Sequence, residues 1–282
     1  MTTSDFAVDG SSSDVIELVP SRAATLGLAE VWAYRELLFF LVWRDIRVKY
    51  KQTALGVIWA VLQPVGLAAI FSIFLGKYAH VPPAGIPYPV MVLAGILPWQ
   101  LFAQALSESS NSVVASERLI TKVYFPRVII PAAAAGAAIP DFCIGFIVLL
   151  VMLKVFGVAI SAQILVAPFF VVLGLLAAFA VGLWLSALNV QYRDVRHAIG
   201  FLVQAWMFMT PIVYPLGVIP QRWRHLYALN PMVGVIEGFR RSVIGQELPV
   251  RIMLVSVFAT VSILTGGLYY FRRMEDTFAD VI

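Results

Sequence analysis

Residues 164–188 read ILVAPFFVVLGLLAAFAVGLWLSAL and contain no charged side chain. A helix needs about 20 mostly apolar residues, each adding about 1.5 Å, to cross the hydrocarbon core of a bilayer. Four other stretches of comparable length and composition occur along the chain, at residues 55–75, 88–106, 128–153 and 252–271. The sequence therefore predicts several helices that span a membrane.

A sixth stretch, residues 198–216, is apolar but contains Pro211 and Pro215. Proline removes a backbone donor and clashes with the preceding turn, so we expect a broken or partly re-entrant helix here. The predicted fold is an all-α integral membrane protein, with six transmembrane helices within residues 52–282.

The composition supports this fold class. Of the 282 residues, 61% are hydrophobic and 13% are charged, and the mean hydropathy is +0.88. Soluble domains carry about 25% charged residues. The net charge of +4 does not indicate binding to nucleic acid, because the basic residues flank the apolar stretches. The single cysteine, Cys143, excludes an intrachain disulfide and is interpreted as a small packing residue.

The distribution of lysine and arginine predicts the orientation. Basic residues precede the first stretch, follow the last, and occupy the connections at residues 107–127 and 189–197. The first two loops of the opposite side contain only Lys77 and Lys154. We therefore expect both termini in the cytoplasm. Residues 1–27 lack the apolar core of a secretory signal and are predicted to form a disordered cytoplasmic tail.

Residues 28–51 are expected to form an amphipathic helix in the plane of the membrane interface. Their apolar run is too short to span, and it is followed by several cations. Membrane anchoring is the simpler role. The alternative is docking of a cytoplasmic partner, or guidance of a lipid-linked substrate towards the membrane.

Two features of the middle of the chain have alternative interpretations. Residues 107–127 are predicted to be a loop with a short helix at 116–122, either a solvated connector or a contact for a soluble motor. Small residues at 132–138 predict close packing of the third span against another helix. Asp141 lies deep in this span and must face protein or water, either as a local hydrogen-bonded cap or in a proton relay.

Residues 217–245 form the longest extracytoplasmic segment and are predicted to contain two short helices. Asn230 fits the N-cap of the second helix, Pro231 its first position, and Gly245 its C-terminal stop. The apolar residues between them fall on one face, and Glu237 can pair with Arg241. Such helices outside a pore would serve as a lid or as an interfacial brace.

Catalytic and nucleotide-binding motifs are missing from the sequence. It has no G-x-x-x-x-G-K-[ST] loop, no nucleophile elbow and no clustered carboxylates. Its three histidines, His80, His197 and His225, lack the spacing of metal ligands. We expect no metal, cofactor or ATP to be bound by this chain.

The order of several motifs around these spans resembles the ABC-2 family of polysaccharide export permeases. The resemblance begins with WRDIRVKYKQTALG at residues 43–56 and continues through Trp59 and the Gln63-Pro64 pair. It then includes KVYFPR at 122–127, NVQYRDV at 189–195, PIVY at 211–214, LNP at 229–231 and EGFR at 237–240. Most of the chain is therefore covered, and residues 1–27 are not.

The resemblance implies a permease that acts as two copies with two separate cytoplasmic ATPase subunits, which bind the ATP and Mg²⁺. The substrate would be a lipid-linked glycan in the bacterial inner membrane. The ATPases would be contacted by Glu117, Arg118, Leu119, Ile120 and Lys122. The anionic linkage of the substrate would be held at the entry by Arg44, Arg47 and Lys49. An external gate would include Asn230, Pro231, Glu237, Arg240 and Arg241.

Aromatic side chains within the predicted spans suit a glycan channel, because sugar rings stack their C–H faces on aromatic rings. These candidates are Trp59, Phe71, Phe74, Trp99, Phe102, Trp206, Phe208 and Tyr214. Lipid-facing rings and interface belts are the alternative interpretation. The alternative functions are an ABC-2 permease for a drug or small lipid, a membrane-embedded glycan-modifying enzyme, and a proton-coupled transporter.

Overall fold

The computed structural model describes residues 28–51, 56–74, 86–123, 125–192, 194–275 and 278, and their regular structure is helical throughout. The predicted tail at residues 1–27 lies outside the described residues. In chain order the α-helices are α1 (Leu28–Ala33), α2 (Arg35–Lys51), α3 (Gly56–Phe71), α4 (Tyr88–Ala115), α5 (Glu117–Ile120), α6 (Ile129–Gly136), α7 (Ile139–Val155), α8 (Ala167–Gln191), α9 (Val195–Phe208), α10 (Gln221–Tyr227), α11 (Pro231–Ile244) and α12 (Val250–Glu275).

Four helical segments of the described chain are long and apolar enough to cross a membrane: Tyr88–Ala115, Ile129–Val155, Ala162–Gln191 and Val250–Glu275. They correspond to four of the six predicted spans. The helices at the other two positions, α3 and α9, contain 16 and 14 residues. At about 1.5 Å per residue they extend about 24 and 21 Å, less than the roughly 30 Å of a bilayer's hydrocarbon core.

Helix α4 is the centre of the bundle. It packs against α3, α6, α7, α8, α9 and α11, and every residue from Val90 to Trp99 is buried. Two glycines allow close approach at its surface. Gly95 lies directly against the carbonyl of Ile212, and Gly182 of α8 lies against Ser109 of α4. A Cβ atom at either glycine would overlap its neighbour, so α4 can be surrounded this closely only with glycine there.

The end of α4 was predicted incorrectly. The sequence favoured a loop from residue 107, but the helix continues to Ala115. Its polar residues are accommodated within the helix, because the Ser110 hydroxyl donates to the Leu106 carbonyl at 2.7 Å and Asn189 of α8 donates to the Ser110 carbonyl at 3.1 Å. A serine-rich sequence therefore remains helical while packed against α8.

The third span is interrupted between α6 and α7. The break falls at residues 137–138, directly before Pro140, which lacks the backbone donor that the preceding turn requires. The predicted packing of the small residues is confirmed. Ala133, Ala134 and Ala135 are buried, and Gly136 lies against the side chain of Val42 on α2.

Helix α2 confirms the helix predicted before the first span. One side packs on α6, where Leu41 is 3% exposed and joins a core cluster with Val113, Ile120 and Phe271. The opposite side leaves large aromatic side chains exposed: Trp32 before the helix, and Phe39, Phe40 and Trp43 within it. Exposed aromatics beside cations suit a membrane interface, and that location stays a prediction.

The segment after α9 is broken, as its two prolines predicted. Residues 209–220 contain only a short 3₁₀ turn, Leu216–Val218, and the two short helices α10 and α11 follow. Helix α11 belongs to the bundle, and its role as a lid or an interfacial brace stays a prediction. Ten consecutive residues of α11 from Pro231 to Arg240 are buried, and the helix packs against α4, α8 and α12.

Candidate functional site: a polar cavity between α2, α3, α4 and α7

A cavity of about 390 Å³ lies where the end of α2 meets α3, α4 and α7. Its polar lining combines a cation, a phenol, a carboxylate and three amides: Lys49, Tyr50, Asp141, Gln63, Gln100 and Gln104. Its apolar lining includes the rings of Trp59 and Phe142. Such a set of polar side chains among apolar helices is costly unless its members are paired or bind a ligand.

Asp141 is the centre of the hydrogen bonding in this cavity. It occupies the first turn of α7, but its partners come from other helices. The Lys49 ammonium and the Tyr50 hydroxyl of α2 both donate to its carboxylate, and the amide of Gln104 on α4 donates as well. The interpretation of Asp141 as a local cap is therefore wrong. The residue instead connects α2 and α4 to the start of α7.

Tyr50 serves as a neutral hydrogen-bond donor. Burial of the phenol and its hydrogen bond to Asp141 both raise the pKa of Tyr50 above its ordinary value. The hydroxyl thus keeps its proton at physiological pH and can donate to the carboxylate. Lys49 and Asp141 then leave the cavity without net charge among its described lining residues.

Two amides and a carboxylate form a row along one face of α4. Gln100, Gln104 and Glu108 are spaced by four residues, which places them on one face. Gln100 and Gln104 line the cavity, and the side-chain nitrogen of Gln100 is buried without a hydrogen-bond partner among the described residues. Gln104 is held by Asp141. One donor of the cavity is therefore available to a ligand.

A second cavity of about 330 Å³ adjoins the first. It lies between α2, α4 and α6, and Asp45, Val48 and Glu108 contribute to its walls. Lys49 and Gln104 line both cavities. The α4 row therefore passes from one cavity to the other, with Lys49 at the boundary.

The three predicted entry cations have different partners. Arg44 forms an exposed ion pair with its neighbour Asp45 at 2.9 Å, and the Arg47 guanidinium lies 5.3 Å from the centre of the Trp43 ring. Of the three, Lys49 alone lines the cavity, where it is paired with Asp141. The role of these three cations in holding an anionic linkage stays a prediction.

The short helix predicted at 116–122 is present as α5. Glu117, Arg118 and Lys122 are exposed, whereas Ile120 is 6% exposed and packs into the core cluster that contains Leu41. Ile120 is thus unavailable for a contact with another subunit and instead holds α5 against the bundle. Leu119 is partly buried beside the same cluster. The role of the exposed residues in docking stays a prediction.

The eight predicted channel aromatics differ in how much of each side chain is exposed. Trp99 and Phe102 are 4% and 0% exposed, and Trp206 packs edge-on against Phe102 with ring centres 5.1 Å apart. The channel prediction is wrong for Trp99 and Phe102 in this structure, because both belong to the core. The rings of Trp59, Phe74 and Phe208 are more than half exposed, and those of Phe71 and Tyr214 are partly buried.

Asn230 caps α11 as predicted and also forms hydrogen bonds to residues outside α11. Its side-chain oxygen accepts from the backbone N–H of Met232 at 3.0 Å, with Pro231 at the start of the helix, and also from the Trp206 indole at 2.9 Å. Its nitrogen donates to the Thr210 hydroxyl at 3.0 Å. One side chain therefore joins α9, the irregular segment after it and α11.

The remaining predicted gate residues form a charge cluster on α11. Glu237 pairs with Arg241 at 2.8 Å, as predicted, and also with the buried Arg240 at 3.0 Å. Arg240 donates in addition to the carbonyls of Pro211, at 2.9 Å, and Ile212. This cluster fixes the irregular segment onto α11. In this structure it acts as a clamp, and a gating role stays a prediction.

Four residues of the cavity, Tyr50, Gln63, Gln100 and Gln104, were not predicted from the sequence as site residues. A signal for part of this set exists, because amides and an acid recur every four residues on α4 within an otherwise apolar stretch. Gln63 was noted only as part of a motif. The meeting of these residues with Asp141 depends on tertiary packing, for which the sequence has no local signal.

The described structure is that of a polytopic α-helical membrane protein with a polar cavity beside its central helix. The chain matches the model of the family named ABC-2 type transporter over residues 36–244, and it belongs to that family.

Several curated proteins are similar over most of the chain. An O-antigen export system permease from Myxococcus xanthus is 27% identical over 257 residues, which cover 90% of this chain and 98% of the relative. A protein of the same description from Klebsiella pneumoniae is 26% identical, covering 88% and 95%. A polysialic acid transport protein from Escherichia coli is 25% identical, covering 82% and 91%.

Proposed function

We propose that this chain is the transmembrane permease subunit of an ATP-driven exporter that moves a lipid-linked polysaccharide across the bacterial inner membrane. The observation that carries the proposal is the similarity to proteins named for O-antigen export and polysialic acid transport, which extends over 98%, 95% and 91% of their lengths. The chain therefore aligns with nearly the whole length of these relatives.

The proposed topology has six spans. Helices α3 and α9 supply the first and fifth, in addition to the four long helices. The apolar run of α3 continues to Phe74, and α9 is followed by the irregular segment that Arg240 and Asn230 hold in the bundle. Both termini then lie in the cytoplasm, on the side that carries Arg118 and Arg272.

The proposed energy source is a pair of separate ATPase subunits bound to two copies of this chain. The sequence contains no P-loop, so hydrolysis must take place on a partner. Helix α5 offers exposed charges on a base fixed by Ile120, which suits the transmission of a movement from a soluble subunit. The exposed rings of Trp59, Phe74 and Phe208 are available to line a path between two copies.

A reconstitution experiment tests this function. The chain is placed in vesicles together with its cognate ATPase, and the movement of a radiolabelled lipid-linked glycan to the opposite leaflet is measured with and without ATP. We expect movement only when the ATPase, ATP and Mg²⁺ are all present. Stimulation of the ATPase by small hydrophobic compounds but not by the glycan lipid would overturn the choice of substrate in favour of a drug or small-lipid permease.

A further inference from the structure

We infer that the cavity between α2, α3, α4 and α7 binds a neutral sugar residue of the transported glycan. The inference rests on the proposed function and assigns the substrate class to a particular place in the chain. The cavity volume of about 390 Å³ lies within the range of about 300–1,000 Å³ that is usual for small-molecule sites.

The polar lining matches the hydrogen-bonding chemistry of hydroxyl groups. A sugar hydroxyl both donates and accepts, and the lining offers amide nitrogens and oxygens on Gln63 and Gln100. The Gln100 nitrogen is a buried donor that has no acceptor in the described part of the chain. Such a group is unfavourable when it remains unsatisfied, and a ligand hydroxyl would satisfy it.

The charge of the cavity favours a neutral ligand over a phosphate. Lys49 is already held by the carboxylate of Asp141, and this pair leaves no excess of positive charge among the described lining residues. A pyrophosphate entering the cavity would approach the Asp141 carboxylate, which repels it. The anionic linkage of a lipid carrier therefore belongs elsewhere, and the neutral part of the glycan fits here.

Two aromatic rings complete the site. Trp59 on α3 and Phe142 on α7 line the cavity on different walls, and the Trp59 side chain is 56% exposed. Sugar rings present C–H faces that pack well on such rings. The exposure of Trp59 and Gln63 on α3 leaves that wall accessible from outside the chain. A sugar can therefore enter from the α3 side without unfolding the bundle.

Protection of a cysteine in the cavity wall tests the inference. Ala60 lines the cavity, and the single native cysteine can be removed, so the variant Cys143→Ser with Ala60→Cys carries one reporter thiol. The permease with its ATPase subunits, in lipid nanodiscs, is labelled with a small neutral thiol reagent. The labelling rate is measured with the methyl glycosides of glucose, galactose, mannose, rhamnose and N-acetylglucosamine, and separately with inorganic pyrophosphate.

We expect at least one glycoside to slow labelling in a saturable manner and pyrophosphate to have no effect. Gln100→Leu should raise the half-protecting concentration about tenfold, the usual effect of losing one hydrogen bond to a ligand. Gln63→Leu, on the exposed side of α3, provides a second variant that does not disturb the core. The matched control is Gln163→Leu, because Gln163 also has a buried unpartnered side-chain atom but lies outside the cavity.

Three results would overturn the sugar site: no protection by any of the glycosides, protection by pyrophosphate instead, or the same shift in Gln163→Leu as in Gln100→Leu. The same preparation is assayed in parallel for ATP-driven export of the lipid-linked glycan. Export without protection refutes the site and retains the proposed function. Protection without export, in an otherwise active ATPase complex, refutes the proposed function and retains a sugar site.

Discussion

At the scale of single residues, the position of Asp141 follows from the cost of a charge among apolar helices. Its carboxylate is 92 positions from Lys49 and 91 from Tyr50, yet both donate to it. The side chains of Lys49 and Asp141 remain 33% and 22% exposed, so this pair is only partly removed from solvent. The pair tethers α2 to the third span at the edge of the cavity.

Removal of one partner of this pair should destabilise the chain. Asp141→Asn leaves Lys49 and Tyr50 without their charged acceptor, and we expect a loss of about 1–3 kcal/mol. Thermal unfolding in detergent, followed by tryptophan fluorescence, measures the change. The double variant Lys49→Met with Asp141→Leu should recover part of it, since no unpaired charge remains. Stability equal to that of the unmodified chain in Asp141→Asn would contradict a structural role for the pair.

Asp141→Asn also distinguishes a structural role of Asp141 from a role in a proton relay. With equal amounts of folded protein, Asp141→Asn should retain ATP-driven export, because an asparagine can still accept from Lys49 and Tyr50. Export is measured in vesicles at matched permease content. Complete loss of transport in folded protein would instead favour the proton-coupled alternative, in which the carboxylate itself must titrate.

The clamp on α11 supports a second residue-level prediction. Arg240 is 3% exposed and contacts Glu237 and two backbone carbonyls at once, a geometry that a planar guanidinium provides and a lysine does not. Arg240→Lys should cost about 2–4 kcal/mol of stability. Arg241→Lys is the matched control on the same helix, because the Arg241 side chain is 30% exposed and should lose at most about 1 kcal/mol.

Equal unfolding temperatures for these two variants would show that the irregular segment is held by other contacts. The pair of Glu237 and Arg241 was predicted from the sequence, but the burial of Arg240 was not. In the structure Glu237 pairs with both arginines and backbone carbonyls accept from Arg240, so the helix can be buried.

At the scale of elements, the helices were more predictable than their ends. The run of apolar residues in α8 and the caps of α11 are local features, and both were recognised correctly. The end of α4 was not, because its serines bond to carbonyls of their own helix and its last turns are covered by α8. Only the tertiary structure shows that α8 packs over these turns.

Close packing of α4 against the irregular segment predicts an effect of adding one methyl group. Gly95→Ala places a Cβ atom against the Ile212 carbonyl and the Arg240 guanidinium, so we expect a loss of about 1–3 kcal/mol. Gly200→Ala on α9 is the control, because a Cβ there meets nothing within 4 Å. Alanine favours a helix, so that variant should be neutral or gain up to about 1 kcal/mol. Similar melting temperatures for the two variants would contradict the packing described here.

The exposed face of α5 leads to a prediction about coupling. Charge reversal in the double variant Arg118→Glu with Lys122→Glu should leave folding intact but uncouple ATP hydrolysis from export. The ratio of glycan moved to ATP hydrolysed measures this coupling. Lys154→Glu is the control. Lys154 is exposed and lies near the end of the third span, whereas α5 precedes the start of that span. An unchanged ratio in the double variant would exclude docking of the ATPase at α5.

At the scale of the whole molecule, the class of protein was predictable because a bilayer imposes a length and composition that any spanning helix must meet. Four long helices satisfy that condition. The order of motifs along the chain indicated the ABC-2 family, and the family match confirms it. The polar cavity was not predictable as a site. Its lining comes from four helices, and the lining residues Lys49, Trp59 and Asp141 were noted in the sequence separately, for different roles.

In the proposed function, this chain is a passage that uses work supplied by a separate ATPase. The most direct measurement is uphill movement of a lipid-linked glycan into sealed vesicles that contain this chain alone or this chain with its ATPase. We predict no accumulation by the lone chain under ATP or an imposed proton gradient, and ATP-dependent accumulation once the ATPase is added. Accumulation against a gradient by the lone chain would contradict the account.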